Sequence, residues 1–146
     1  MATAPTLGAL LVDRSHAAPD APFLDEWSSS GRDRKALHFA GFHGCVAAAA
    51  KGLAKHGIAA GNRVAMLSHP SVIFYVHAFA VMVMGGACAL LNWRQPASVL
   101  SSMFSDSGCT ALLSSSAFVQ QVRANGSICH ASKRYMQCKC AACTGE

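Results

Sequence analysis

The segment that most constrains the fold runs from residue 36 to residue 113 and repeats an apolar helical pattern followed by a short apolar strand. At its centre, Gly57 ends one helical pattern, Gly61 turns the chain, and residues 64–67 form an uncharged run. A glycine after a helix can adopt the left-handed conformation that a Cβ penalises. A strand without polar alternation is typical of a sheet that is buried on both faces. Helices alternating with such strands predict βαβ units and a parallel sheet.

The spacing of apolar residues and the capping signals place the individual elements. Phe42, Val46, Ala49 and Leu53 recur at intervals near 3.6 residues, which is typical of a helix with one buried face. We predict an α/β fold with a partial parallel sheet and flanking helices. In chain order, the predicted elements are a helix over 6–17, an extended segment over 22–27, an edge strand over 36–40, a helix over 42–56, a strand over 64–67, a helix over 71–84, a strand over 87–91, a helix beginning near Pro96 and a strand over 109–113.

Residues 72–91 are an uncharged run of 20 residues, which is long enough for a transmembrane helix. However, His77 lies inside the run, and Gly85 and Gly86 interrupt it at about 1 kcal/mol each in a helix interior. We therefore predict a buried helix followed by a strand and no transmembrane span. His77 is interpreted as a hydrogen-bonded core histidine, with a ligand role as the alternative.

Several short motifs follow one another in an order that is typical of one family. They are Pro19-Asp20-Ala21-Pro22, Gly57 to Val64, Met84-Gly85-Gly86-Ala87, Leu91-Asn92-Trp93-Arg94 and Asp106-Ser107-Gly108. Over residues 6–123 the chain resembles the start of the AMP-binding (adenylate-forming) acyl-CoA synthetase and ligase family, and Leu-Asn-Trp-Arg looks most like acyl-CoA ligases. Asn62 stands where the family usually has aspartate, and His69 where it often has asparagine.

The resemblance implies the start of the family's large N-terminal domain, and a reaction that joins a carboxylate to ATP and passes the acyl group to coenzyme A. It also implies ATP, Mg²⁺ and coenzyme A as cofactors. The family's phosphate loop, its later acidic residue and its C-terminal lysine have no match here, and the polar loop over 28–35 lacks the glycine, lysine and hydroxyl of such a loop. We therefore predict a truncated, inactive chain with no catalytic, cofactor-binding or metal-binding residues.

Two alternatives to this prediction stay open at the level of the sequence. The loop with His69 can approach the acyl or coenzyme site in the family, so a ligand role stands beside a solvated loop histidine. A small non-catalytic protein, either membrane-anchored or a binding module, that uses residues 72–91 is the alternative function.

The last part of the chain, residues 124–146, is rich in cysteine and lacks core periodicity. We divide the chain at residue 123 and predict a disordered tail that is unrelated to the family. Its thiols and imidazole could bind zinc, but their spacing matches no zinc-finger pattern, and we predict no metal there; these residues are Cys129, His130, Cys138, Cys140 and Cys143. An altered reading frame, a retained intron or an early stop would explain the abrupt change.

The charge distribution and the N-terminal sequence limit the possible partners and the possible compartment. The net charge is +5, but the basic residues are scattered, so we predict no nucleic-acid partner. The N-terminus has no basic segment of the kind that begins a secretion signal, and we predict an intracellular protein with reduced thiols. We expect too few helices to cover the sheet, and we therefore predict self-association or aggregation.

Overall fold

The structure is a computed structural model that describes residues 6–124 and 134–137. These residues form a parallel sheet with helices on both faces and a separate two-stranded hairpin. In chain order the elements are α1 (Leu7–Ala17), β1 (Pro22–Trp27), β2 (Arg34–His38), α2 (Phe39–Lys55), β3 (Arg63–Leu67), α3 (Val72–Val83), β4 (Ala87–Leu90), α4 (Ala97–Asp106), β5 (Ala111–Ser114), a 3₁₀ turn (Ser116–Phe118), α5 (Val119–Ala124) and β6 (Arg134–Gln137).

The sheet has the strand order β4-β3-β5-β6, and all its neighbours are parallel. Val64 of β3 is in register with Cys88 on one side and with Ala111 on the other. The chain therefore runs from β3 to its neighbour β4, crosses back to β5 on the other side of β3, and continues outward to β6. This arrangement confirms the predicted α/β fold with a parallel sheet.

Each face of the sheet has its own apolar core. Val64 and Met66 point to the face covered by α1, α2 and α3, whereas Ala65 and Leu67 point to the face covered by α4 and α5. Burial on both sides explains why β3 lacks polar alternation. The expectation that too few helices remain to cover the sheet is therefore wrong for its faces, because β3 and β5 are buried except at Arg63.

The predicted edge strand belongs to the hairpin and not to the parallel sheet. β2 pairs antiparallel with β1, with Asp25 opposite Ala36. The loop between them closes through a hydrogen bond from the Ser28 N–H to the Asp33 carbonyl at 2.9 Å, and Gly31 has a φ of 68°. A short apolar strand pattern predicts a strand but does not identify its partner. The predicted bounds of 36–40 also extend into α2, which begins at Phe39.

The uncharged run divides as predicted into α3 and β4. The Ser71 hydroxyl accepts a hydrogen bond from the Phe74 N–H at 3.1 Å and begins the helix, and Gly85, with a φ of 78°, turns the chain after it. No helix among the described residues combines the length and apolar character that a membrane crossing requires. His77 is buried, and its Nδ1 hydrogen bonds to the Ile73 carbonyl oxygen at 2.8 Å, which confirms the interpretation as a core histidine.

The tail contributes a strand where disorder was predicted. Residues 134–137 form β6 beside β5, with Met136 opposite Leu113 and buried in the core under α2 and α3. For these four residues the expectation of disorder is wrong. The sequence does not predict this strand, because one buried methionine gives too little periodicity to indicate it. Cys129, His130, Cys138, Cys140 and Cys143 lie outside the described residues.

Candidate functional site

The carboxyl ends of β3, β4 and β5 lie at one edge of the sheet, and the loops that leave them meet there. His69 follows β3, Trp93 and Arg94 follow β4, and Phe118 ends the turn after β5. The chain leaves β3 toward β4 on one side and leaves β5 toward β6 on the other, so the strand order switches between β3 and β5. Open α/β sheets bind ligands in the crevice at such a switch point.

These four side chains form an aromatic and cationic group that we call the edge cluster: His69, Trp93, Arg94 and Phe118. The His69 ring centroid lies 4.3 Å from that of Trp93 and 4.8 Å from that of Phe118. The Arg94 Cζ lies 4.3 Å from the centroid of the Trp93 ring, within the range of a cation–π interaction. Phe118 is buried and Trp93 is half-buried, and these two rings form the aromatic base of the cluster. His69 and Arg94 are exposed at its rim, where Arg94 supplies a positive charge.

Local hydrogen bonds hold the loops in place. The Ser68 hydroxyl donates to the His69 carbonyl oxygen at 3.0 Å, and the Asn92 side-chain oxygen accepts the Arg94 N–H at 3.1 Å. The Leu91 N–H donates to a carbonyl of β3 at 2.9 Å, so the β4 loop leaves the sheet in a fixed direction. These hydrogen bonds restrict the backbone of the loops that carry His69 and Arg94.

Two buried hydroxyl groups have no hydrogen-bond partner among the described residues. They are the Ser115 Oγ, directly after β5, and the Tyr135 Oη of β6, whose ring packs against the α4–α5 core. An unpaired buried hydroxyl costs about 1–3 kcal/mol. A polar ligand or an ordered water molecule that reached the Ser115 hydroxyl, at this edge of the sheet, would recover that free energy.

The chemistry of the edge cluster suits a ligand with a flat aromatic group and an anionic group. An indole face stacks on heterocyclic bases, and a guanidinium group binds phosphate through paired N–H donors. The cluster contains no carboxylate, and nowhere in residues 6–124 and 134–137 do three or more His, Cys, Asp or Glu side chains come together in a way that could hold a metal ion. The cluster therefore suits a flat aromatic ligand with an anionic group better than it suits a bare Mg²⁺ ion.

The buried titratable groups elsewhere in the described part of the chain are poor candidates for catalysis. Burial, with a smaller contribution from the charge of Cys109, raises the pKa of the Cys88 thiol to about 11. Burial also lowers the pKa of His77, although its hydrogen bond to the Ile73 carbonyl opposes that change. Cys88 is therefore a neutral thiol near pH 7, and His77 a neutral imidazole.

Of the cluster, the sequence indicated only His69 as a ligand candidate. The structure places His69 in an exposed position, with its ring against Trp93 and Phe118. In the sequence, Trp93 and Arg94 indicate only a structural motif. The one signal available for them is an aromatic residue followed by a cation in the loop after β4.

Comparison with known proteins identifies the family. The model of the AMP-binding enzyme family matches residues 11–141, which extends beyond the predicted boundary at residue 123. No curated protein matches the chain significantly.

Similar solved structures show the same fold. The N-terminal domain of FACL13 from Mycobacterium tuberculosis matches with a TM-score of 0.76 and 22% identity over 92% of this chain and 34% of that chain. O-succinylbenzoate coenzyme A synthetase from Bacillus subtilis, solved with ATP and magnesium, matches with 0.75 and 20% over 90% and 33%. A putative long-chain-fatty-acid CoA ligase from Rhodopseudomonas palustris gives 0.74 and 19% over 90% and 32%. The chain spans about a third of the length of these structures. Its family match covers most of its residues, and the chain belongs to the AMP-binding enzyme family.

Proposed function

We propose that the chain forms the start of an acyl-CoA ligase-like domain and that its edge cluster binds the adenine nucleotide part of a ligand, as found in ATP and in coenzyme A. The observation that carries this proposal is the meeting of His69, Trp93, Arg94 and Phe118 at the switch point of the sheet. Family membership supports an AMP-containing or ATP-containing ligand, and the titles of the similar structures support acyl-CoA ligation.

Each part of the cluster has a role in this proposal. The Trp93 ring stacks on the adenine base, and Arg94 turns from the indole face to a phosphate group. Arg94 is exposed, and within the described residues the single ion pair joins Arg34 to Asp25, so its charge is available. Ser115 supplies a buried hydroxyl at the same edge. ATP and coenzyme A share the adenine and phosphate groups that this site would recognise.

Titration calorimetry with ATP and coenzyme A tests the binding proposal on the purified chain. We expect Arg94→Gln to weaken binding by about 10- to 100-fold, the usual value of a hydrogen bond to a charged group. Arg63→Gln is the matched control, because Arg63 begins β3 at the opposite edge of the sheet. Equal losses in both variants, or unchanged binding by Arg94→Gln, would contradict the proposal.

We further propose that the isolated chain does not catalyse adenylation, because its sequence contains no match to the family's phosphate loop, acidic residue or lysine. The measurement is ATP–pyrophosphate exchange over a panel of carboxylic acids. We expect no exchange above background. Exchange that depends on the purified chain would overturn this part of the proposal.

Self-association of the chain is a separate proposal, and its route is the edge strand β4. Within the described residues β4 pairs only with β3, and its last residue, Leu90, is 59% exposed. Unpaired strand edges with apolar side chains promote association. An intracellular location stays a prediction from the sequence.

A further inference from the structure

The β1–β2 hairpin lies outside the parallel sheet but touches the loop that carries His69. The Glu26 carboxylate Oε2 of β1 accepts a hydrogen bond from the Val72 N–H at 3.3 Å, across 46 residues of sequence. Val72 is the first residue of α3 and is 1% exposed, so its N–H has no ready access to bulk water. A carboxylate at this position also interacts favourably with the positive end of the helix dipole.

The hairpin is anchored to α2 and α3 through Phe23, whose ring centroid lies 4.7 Å from that of Phe42 and 6.1 Å from that of Phe79. Between the hairpin and the loop with His69 there is instead a cavity of about 260 Å³, lined in part by Trp27 and Pro70. Within the described residues, the Glu26–Val72 hydrogen bond is the one that joins the hairpin to the loop. This hydrogen bond is therefore the direct polar link between the hairpin and the start of α3.

Only two residues separate Val72 from His69, and both are conformationally restricted. Pro70 has a fixed φ and confines His69 to extended conformations. Ser71 is extended, with φ −161° and ψ 166°, and its hydroxyl is engaged by the Phe74 N–H. On the other side, the Ser68 hydroxyl holds the His69 carbonyl at 3.0 Å. These restraints leave the chain few ways to absorb a displacement of Val72 before it reaches His69, whose ring contacts Trp93.

We propose that Glu26 is a positioning residue for the edge cluster and acts through the short link from Val72 to His69. The proposal rests on the proposed function of that cluster as a nucleotide site. Glu26 itself does not touch the ligand. It sets the start of α3, and thereby the place where His69 closes the aromatic base formed with Trp93 and Phe118.

The experiment uses the full chain with Trp27→Phe, which leaves Trp93 as the one indole of the two in the sequence. Glu26→Asp keeps the charge but shortens the side chain by one methylene, so the carboxylate no longer reaches Val72. Glu26→Gln keeps a side-chain oxygen at full length and should restore the contact. Asp25→Asn is the matched control, because the neighbouring Asp25 pairs with Arg34 at 2.8 Å and not with the loop. The readouts are the amide resonances of Val72 and His69, Trp93 fluorescence, and the dissociation constants for ATP and coenzyme A.

For Glu26→Asp we expect shifted Val72 and His69 resonances, altered Trp93 emission and binding that is weaker by about 5- to 20-fold. Glu26→Gln should return all three toward the values of the parent. A purely structural role would lower the thermal midpoint without this local pattern. Unchanged His69 and Trp93 signals in Glu26→Asp, or the same changes in Asp25→Asn, would overturn the proposal. If the parent binds neither nucleotide and Glu26→Asp still moves His69 and Trp93, the nucleotide function fails while the positioning role stands.

Discussion

At the scale of single residues, Gly57 combines a positive φ at a helix end with a close contact to a residue that is distant in the sequence. It follows α2 with a φ of 77°, as the sequence predicts for a helix C-terminus. A Cβ at this position would meet the Arg134 guanidinium of β6 at 3.1 Å. The residue thus serves both the local turn and the docking of a strand that begins 77 positions later in the sequence.

We expect Gly57→Ala to lower the free energy of unfolding by about 1–3 kcal/mol, because alanine is strained at positive φ. Gly52→Ala is the matched control inside α2, where a Cβ would meet nothing within 4 Å. It should raise the free energy of unfolding by about 0.5–1 kcal/mol. Urea unfolding of both variants measures the contrast, and a stabilising Gly57→Ala would contradict the assigned turn.

His77 predicts a pH dependence of stability. Burial lowers its pKa in the folded chain from the ordinary 6.5, and the hydrogen bond to Ile73 only partly opposes that effect. The unfolded chain therefore binds the proton more readily, and stability decreases as the pH falls below 6.5, by at most about 1.4 kcal/mol per pH unit. His77→Leu should remove this component. Denaturant unfolding of both proteins at pH 7.5 and pH 5.5 tests it, and identical losses would show that His77 does not contribute.

At the scale of elements, local signals predicted most of the helices and strands. Thr6 and Ser71 cap α1 and α3 through their hydroxyl groups, and Gly57 and Gly85 turn the chain where the patterns end. The pairing partner of each strand is harder to predict from the sequence, because a short apolar run looks the same in a hairpin strand as in a strand of a larger sheet. For this reason the sequence predicts a strand at β2 but not its pairing with β1.

The candidate site was harder to predict than the elements around it. His69, Trp93 and Phe118 belong to three different loops, and only the strand order brings them together. Each residue alone is unremarkable in the sequence, since an exposed histidine or a tryptophan beside an arginine is common on protein surfaces. The sequence could therefore name His69 as a candidate but could not identify its neighbours.

The strand β6 is the element on which sequence and structure differ most. If it pairs with β5 as described, those amides of 134–137 that point toward β5 should exchange with solvent far more slowly than those of an unstructured segment. Met136→Ala should also cost about 2–4 kcal/mol, because its side chain is buried in the core. Hydrogen exchange and urea unfolding provide the two measurements. Exchange within seconds at all four positions would restore the prediction of a disordered tail.

At the scale of the whole molecule, helices cover both faces of the sheet, and within the described residues the outer side of β4 has no neighbouring strand. If association proceeds through this edge, Leu90→Lys should shift the chain toward its monomeric mass of 15.2 kDa. Val99→Lys is the matched control, because Val99 is an exposed residue, 40% accessible, on α4 rather than on the edge strand. Light scattering with size-exclusion chromatography measures both. Equal effects of the two lysines would point to general solubility and not to the edge.

The central claim for the whole molecule is that its ligand site lies at the carboxyl edge of the sheet. Chemical-shift mapping of the ¹⁵N-labelled chain, titrated with ATP and separately with coenzyme A, tests this location directly. We expect the perturbed amides to be those of residues 68, 69 and 71 and of 92–95 and 115–118, while those of 61–63 and 107–110 at the opposite edge stay unchanged. Perturbations centred on the opposite edge, or none with either nucleotide at millimolar concentration, would contradict it.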